Sequence, residues 1–197
     1  MLEDLGKLVD VVQKNYNRIC DIWTERADTN INLKKKLVID AQKNAEISKA
    51  ILKYRSIVNE ELVQIMFELQ DEEYEKALVT GRVKAQNSIE YKIDSYVLHH
   101  EEGRIPIKKC LNDLLGIRMI LDEEFSHQDV ERYMKHKFPN FKCIDSSKLS
   151  YTATHIYFER DNFCFPWELQ VWAKKDEENN YVSHKMYKQE YTRWEME

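Results

Sequence analysis

The sequence predicts an α+β fold: a mixed β-sheet flanked by helices, preceded by a helical region. Two observations lead there. Through residue 80 the apolar residues recur at the three-and-four spacing of amphipathic helices, whereas after Gly81 the short β-rich runs LLGIRMIL, YTATHIYF and FCFPWELQVW alternate with helical patterns. LLGIRMIL is almost continuously apolar, so it is expected as a central strand covered on both faces.

In chain order, the first helix is expected over residues 2–23, where Leu5, Leu8, Val12, Tyr16, Ile19 and Trp23 share one face. A second, over 32–54, is the most basic stretch: Lys34, Lys35, Lys36, Lys43, Lys49, Lys53 and Arg55 stand there against Asp40 and Glu46. A third, over 57–78, sets Leu62, Ile65, Met66 and Leu69 on one stripe, and Thr80-Gly81 reads as its end. The chain therefore divides into an N-terminal helical region, 1–80, and a core, 81–197, that closes on a helix over about 180–194. Within the core SIEYKIDSYVLHH and HQDVERYMKHKF read as helices, and the last two β-rich runs should pair around the charged ERDN turn.

Composition removes several classes. No stretch approaches the roughly 18 apolar residues of a membrane span, and MLEDLGKLVDVV carries acids where a secretory signal carries bases. A cytoplasmic protein with no membrane partner is the expectation. Cys20, Cys110, Cys143 and Cys164 form no CxxC pair and are read as four reduced packing residues. The net charge of −5 does not suit a protein that coats nucleic acid, although it hides the local basic stretch. With only four glycines, at 6, 81, 103 and 116, neither a Walker A loop nor a GxGxxG turn is present.

Phosphates would then be bound by side chains and a helix start. In GRVKAQNSIEYKI, Arg82 and Lys84 share a strand face, Ser88 and Lys92 share a helix face, and Asn87 or Ser88 reads as the N-cap. The same spacing suits a solvated basic edge with a capping serine. Asp113, just before a buried strand, and Glu168, in PWELQVW, are carboxylates in apolar surroundings that need a cation. Each on its own fits a turn cap or an ion pair; two together suit a Mg²⁺ ion bridging ATP phosphates. Tyr151 and His155 lie on one face of YTATHIYF, and His184 and Lys188 lie one helical turn apart. A packed tyrosine, a satisfied histidine and a surface pair fit these positions equally.

Taken in order, the pieces resemble the synthetase domain of the RelA/SpoT family and its small alarmone synthetases. The motifs are R-x-K-x-x-x-S-I-x-x-K at Arg82, Lys84, Ser88, Ile89 and Lys92, D-x-x-G-I-R from Asp113 to Arg118, Y-x-x-x-H at Tyr151 and His155, E-x-Q at Glu168 and Gln170, and H-x-x-Y-K at His184, Tyr187 and Lys188. The resemblance implies a nucleotidyltransferase-like fold and an ATP-dependent pyrophosphokinase. By it, Arg82, Lys84, Ser88 and Lys92 hold the ATP phosphates and Arg118 lines the donor site. Asp113 and Glu168 ligate Mg²⁺, and Glu168 also takes the proton of the attacking ribose hydroxyl. Tyr151 stacks on the acceptor base, with His155, Gln170, His184 and Lys188 around it.

Two departures bear on the acceptor. Ser150 and Thr152 stand where these synthetases have Gly and a basic residue, and VWAKKDEENNYVSH replaces the usual Arg and Thr after E-x-Q. This pattern resembles the toxic small alarmone synthetases, some of which pyrophosphorylate the 3′ end of tRNA. Lys34, Lys35, Lys36 and Lys43 in the basic stretch are expected to grip the tRNA backbone. The resemblance implies a toxin with a neutralising antitoxin partner. The alternatives are synthesis of (p)ppGpp or a related alarmone from GDP, GTP or adenine nucleotides, and an inactive relative that binds a nucleotide or a partner.

Overall fold

A computed structural model of the chain describes residues 2–192, with side chains as far as Lys185. The first helix, α1 (Glu3–Arg26), forms where the apolar positions repeat, and Leu5, Leu8, Val12, Tyr16, Ile19 and Trp23 are all buried. The basic stretch, in contrast, is not one helix. Lys34 and Lys35 sit in an exposed turn that Lys36 closes, and only the six residues of α2 (Val38–Lys43) are helical before Asn44. Asn44 starts a new helix because its side-chain oxygen accepts from the amides of Glu46 and Ile47. That helix, α3 (Ala45–Asp71), joins the end of the basic stretch to the third expected helix.

It stops earlier than the sequence suggests, so Thr80 and Gly81 lie inside β1 (Ala77–Val83). Gly81 makes room rather than a stop, since a Cβ there would stand 2.6 Å from the Met66 sulfur of α3. The remaining elements are α4 (Gln86–His99), α5 (Ile107–Cys110), β2 (Leu115–Leu121), α6 (His127–Lys137), β3 (Lys142–Asp145), β4 (Thr154–Phe158), β5 (Trp167–Ala173) and α7 (Glu177–Thr192). Together they build a mixed five-stranded sheet, order β1-β2-β5-β4-β3, in which only β2 and β5 run parallel. As expected, β4 and β5 pair around the ERDN turn. The helix α7 runs from Glu177, and the end expected near 194 lies outside the described residues.

The register divides the sheet into two unlike faces. Val79, Ile117, Met119, Ile156, Phe158, Leu169 and Val171 belong to the core that buries α1 and α3. Alternate residues turn the other way. Arg82, Gly116, Glu168 and Tyr157 form one row across four strands, and Thr80, Arg118, Gln170 and His155 form the next. Consequently β2 is not covered on both faces as its apolar run suggests: Gly116 and Arg118 are half-buried against a cleft, while β5 is buried along its length. At one end of this face α7 is latched down. The Asn180 side chain accepts from the Thr152 amide and donates to its carbonyl, both at 2.8 Å, and the Ser183 and Ser150 hydroxyls lie 2.9 Å apart.

The cysteines differ from expectation. Cys20 of α1 and Cys164, ahead of β5, form a disulfide across a sequence separation of 144, and Cys110 and Cys143 are free. Nothing in the spacing signals this pair; the packing of Trp23, Tyr54 and Phe165 brings the two segments together. Closing so long a loop restricts the unfolded chain, and loss of such a bond costs about 2–5 kcal/mol. The urea midpoint is therefore expected to fall when the protein is unfolded in reductant, or in Cys20→Ala/Cys164→Ala, relative to the oxidised protein; equal midpoints would contradict the tie.

Candidate active site

Asp113 sits two residues ahead of β2, and β1 hands over to Lys84 beside it, the Lys84 amide extending the ladder to the Leu114 carbonyl. From the first turns of α4, Lys92 reaches the same carboxylate. Lys84 Nζ lies 2.7 Å from Asp113 Oδ2 and Lys92 Nζ lies 3.0 Å from Oδ1, so each oxygen has its own ammonium group. Burial pushes the Asp113 carboxyl up, but Lys92 and then Lys84 override it and hold it at about 2. A carboxylate with two cations is a site with an excess positive charge, suited to a polyanion.

Glu168 is the second residue of β5 and is 7% exposed. Its Oε1 lies 2.9 Å from His155 Nδ1 and accepts from the Tyr157 hydroxyl at 3.0 Å, while Oε2 accepts from Gln170 Nε2 at 2.8 Å. The Gln170 carbonyl oxygen in turn accepts from Arg118 Nε and a terminal nitrogen at 3.3 and 3.1 Å, which orients the amide. Burial, the largest influence, raises the Glu168 carboxyl, but the interactions with His155 and the Gln170 hydrogen bond together override it, so the group stays below the usual carboxylate range.

Arg118 is stacked as well as hydrogen-bonded. Its guanidinium carbon lies 3.7 Å from the Trp172 ring centroid and 5.2 Å from that of Tyr181 on α7. His184 packs beside it, with Nε2 3.5 Å from Arg118. Burial first, then the charges of Arg118 and Arg82, push the His184 imidazole down to about 4.

These side chains enclose one cleft with two lobes. A cavity of about 480 Å³ is bounded by Thr80, Gly116, Arg118, Tyr181 and Lys185, and one of about 350 Å³ by Lys84, Ser88, Lys92 and His155. Arg82, Asp113, Glu168, Gln170 and His184 line both. The structure thus brings together Arg82, Lys84, Ser88, Lys92, Asp113, Arg118, His155, Glu168, Gln170 and His184. Tyr151 stands just behind, edge-on to His155, Trp172 and His184. The α4 start differs from the sequence reading: Ala85 is the N-cap, without a side-chain cap, and Asn87 takes the Ser88 amide.

Lys34, Lys35, Lys36 and Lys43 lie outside the cleft lining, all exposed, and Lys49 is exposed too. Lys53 instead pairs with Asp28, and Arg55 turns inward to the Lys84 carbonyl. The Lys188 and Tyr187 side chains are outside the described residues. Tyr157, which no motif contains, joins the site through Glu168, and Gly116 of D-x-x-G-I-R joins it as an open place in the row; alternation from His155 along the strand is the signal for Tyr157. Among the described residues no group of three or more His, Cys, Asp or Glu could hold a metal ion. Asp113 and Glu168, two carboxylates lining the same cleft, would offer oxygens to a Mg²⁺ ion only if substrate phosphates and water completed its shell.

No family model matches the sequence, and no curated protein does. Among solved structures it is similar to small alarmone synthetases. The likeness to small alarmone synthetase 1 from Bacillus subtilis is 19% in identity at a TM-score of 0.43, covering 70% of this chain and 76% of that one. For small alarmone synthetase 2 from the same organism the values are 14% and 0.41, over 72% and 80%. A structure of synthetase 1 bound to AMPCPP gives 19% and 0.37, over 70% and 71%.

The depressed His184 group makes an acid-stability prediction. Below pH 6.5 an unfolded imidazole takes a proton that the folded one refuses down to about pH 4. The unfolded state binds more protons in that window, so His184 destabilises the protein as pH falls from 6.5 to 4. The lowered Asp113 group acts in a lower window, between 3.8 and about 2. Chemical denaturation across pH should show a shallower loss between 6.5 and 4 in His184→Gln than in the unmodified protein; parallel curves would contradict the assignment.

Proposed function

We propose that this protein transfers pyrophosphate from ATP to a ribose 3′-hydroxyl, with the 3′ end of tRNA as acceptor. The observation that supports this most is the gathering of Asp113 and Glu168 into one cleft with Arg82, Lys84, Ser88 and Lys92. The ordered motif resemblance adds to it. Phosphoryl-type transfer asks for positioning and charge neutralisation rather than a covalent nucleophile, and cationic side chains beside paired carboxylates meet that demand.

In this reading the triphosphate draws Lys84 and Lys92 off Asp113, and Arg82 and the Ser88 hydroxyl complete its cradle. Asp113 and Glu168 are the residues that would hold Mg²⁺, which when bound would further neutralise phosphoryl oxygens. Glu168 accepts the proton of the attacking hydroxyl. A bond forms between the ribose oxygen and the β-phosphorus, and the bond to the α,β-bridging oxygen breaks, leaving that oxygen on AMP. Arg118, backed by Trp172, lines the donor lobe; His155, Gln170 and His184 border the acceptor, to which the motif resemblance adds Lys188.

The tRNA acceptor rests on two features. The exposed Lys34, Lys35, Lys36, Lys43 and Lys49 offer a phosphate backbone a landing surface outside the cleft. Near the acceptor, Ser150 and Thr152 hold α7 instead of offering a cation to a free nucleotide. A pyrophosphate on the 3′ end of tRNA blocks aminoacylation, so the protein would arrest translation and need a neutralising partner. With γ-labelled ATP and Mg²⁺, label is expected in tRNA; label only in GDP, GTP or adenine nucleotide would overturn the acceptor and favour alarmone synthesis. Asp113→Asn should lose transfer, and full retention would remove the carboxylate from the mechanism.

Gly116 separates the site from the fold. It lies between Arg82 and Glu168 in its row, and a Cβ there would meet nothing within 4 Å. Gly116→Val should therefore fold with an unchanged Tm while its isopropyl group fills the cleft floor, weakening binding of a nonhydrolysable ATP analogue at least about tenfold. Unmodified affinity in calorimetry would contradict the assignment of this cleft to ATP.

A further inference from the structure

Tyr151 is not arranged as a free aromatic platform. Its ring is edge-on to three others, His155 at 6.0 Å, Trp172 at 5.9 Å and His184 at 5.3 Å between centroids. The flanking chain is pinned on both sides, Ser150 by Ser183 and Thr152 by both polar ends of the Asn180 amide. Its hydroxyl is committed too: the oxygen accepts from Trp172 Nε1 at 3.3 Å and lies 2.9 Å from His155 Nε2.

These contacts form a directional chain. His155 Nδ1 faces the Glu168 carboxylate at 2.9 Å, so that nitrogen carries a ring proton, and Nε2, on the far side of the ring, is turned to the Tyr151 hydroxyl. The Tyr151 oxygen already accepts from Trp172, and its own proton is directed to Nε2. Trp172 thus donates to Tyr151, Tyr151 to His155, and His155 to Glu168, with every donor used once. A ring held at both nitrogens can neither flip nor change tautomer without breaking a hydrogen bond. It therefore fixes the direction in which the Glu168 Oε1 lone pairs point.

We infer that Tyr151 is a positioning residue that acts through His155 to orient Glu168, rather than a surface on which the acceptor base stacks. The inference deepens the proposed pyrophosphate transfer and rests on that reading for its kinetic consequence. The hydroxyl, not the ring, carries the effect.

Tyr151→Phe keeps the ring and deletes the hydroxyl, so it separates the two roles. Partners of this kind are typically worth about 10–100-fold. Tyr151→Phe should lower kcat by about that factor, leave KM for the acceptor within about twofold, and leave Tm unchanged. In ¹⁵N NMR of the full chain without ligands, the His155 ring, assigned by its loss in His155→Gln, should show the Nδ1–H tautomer and become a mixture in Tyr151→Phe. Unmodified kinetics and an unmoved tautomer in Tyr151→Phe would overturn the inference. So would a raised acceptor KM at constant kcat in both Tyr151→Phe and Tyr151→Leu, the mark of a stacking platform. If the unmodified protein transfers no pyrophosphate, the function fails and the kinetic part of the inference with it, while the tautomer still reports whether Tyr151 holds His155.

Discussion

Two carboxylates stand at the starts of neighbouring parallel strands, largely out of water, and the site depends on how each keeps its charge. An unpaired buried carboxylate is costly and would take up a proton instead. Asp113 avoids this with an ammonium group on each oxygen, and Glu168 with an imidazole, a phenol and an amide. The two solutions differ in kind. Asp113 is neutralised by cations that a polyphosphate can take over; Glu168 is held by hydrogen bonds that leave its own charge in place.

The fold supplies these partners through register. Because β1 runs antiparallel to β2 while β2 and β5 run parallel, Arg82, Gly116 and Glu168 fall in one row with the residues of α4 beyond its end. The apolar alternates pack on α1 and α3, so the same strands that anchor the core present the polar set to the cleft. The side chain missing at Gly116 leaves the space between Arg82 and Glu168 in which a ligand can lie. The face is closed at the other end by α7, whose latch uses Ser150 and Thr152.

Much of this was legible in the sequence. The apolar stripe of α1, the three β-rich runs and the pairing of β4 with β5 follow from periodicity and turn chemistry. Arg82, Lys84, Ser88 and Lys92 share the cleft as their strand and helix spacing suggests. The errors have physical causes. A single side-chain cap at Asn44 divides a stretch whose periodicity runs through it, and Gly81, a stop by turn chemistry, owes its place to the small size that lets Met66 pack. The four-residue β3 carries too little pattern to see, and the Cys20–Cys164 bond joins residues that only the tertiary packing makes neighbours. The hydrogen-bond chain through Tyr151 was also hidden, because alternation says which residues share a face but not where a hydroxyl points.

The central claim is that this cleft moves two phosphates at once. It is tested most directly by identifying the nucleotide left behind when ATP, Mg²⁺ and acceptor are incubated with the protein, by ³¹P NMR or chromatography. The account predicts AMP in step with labelled acceptor. ADP as the product, or acceptor carrying a single phosphate, would contradict it.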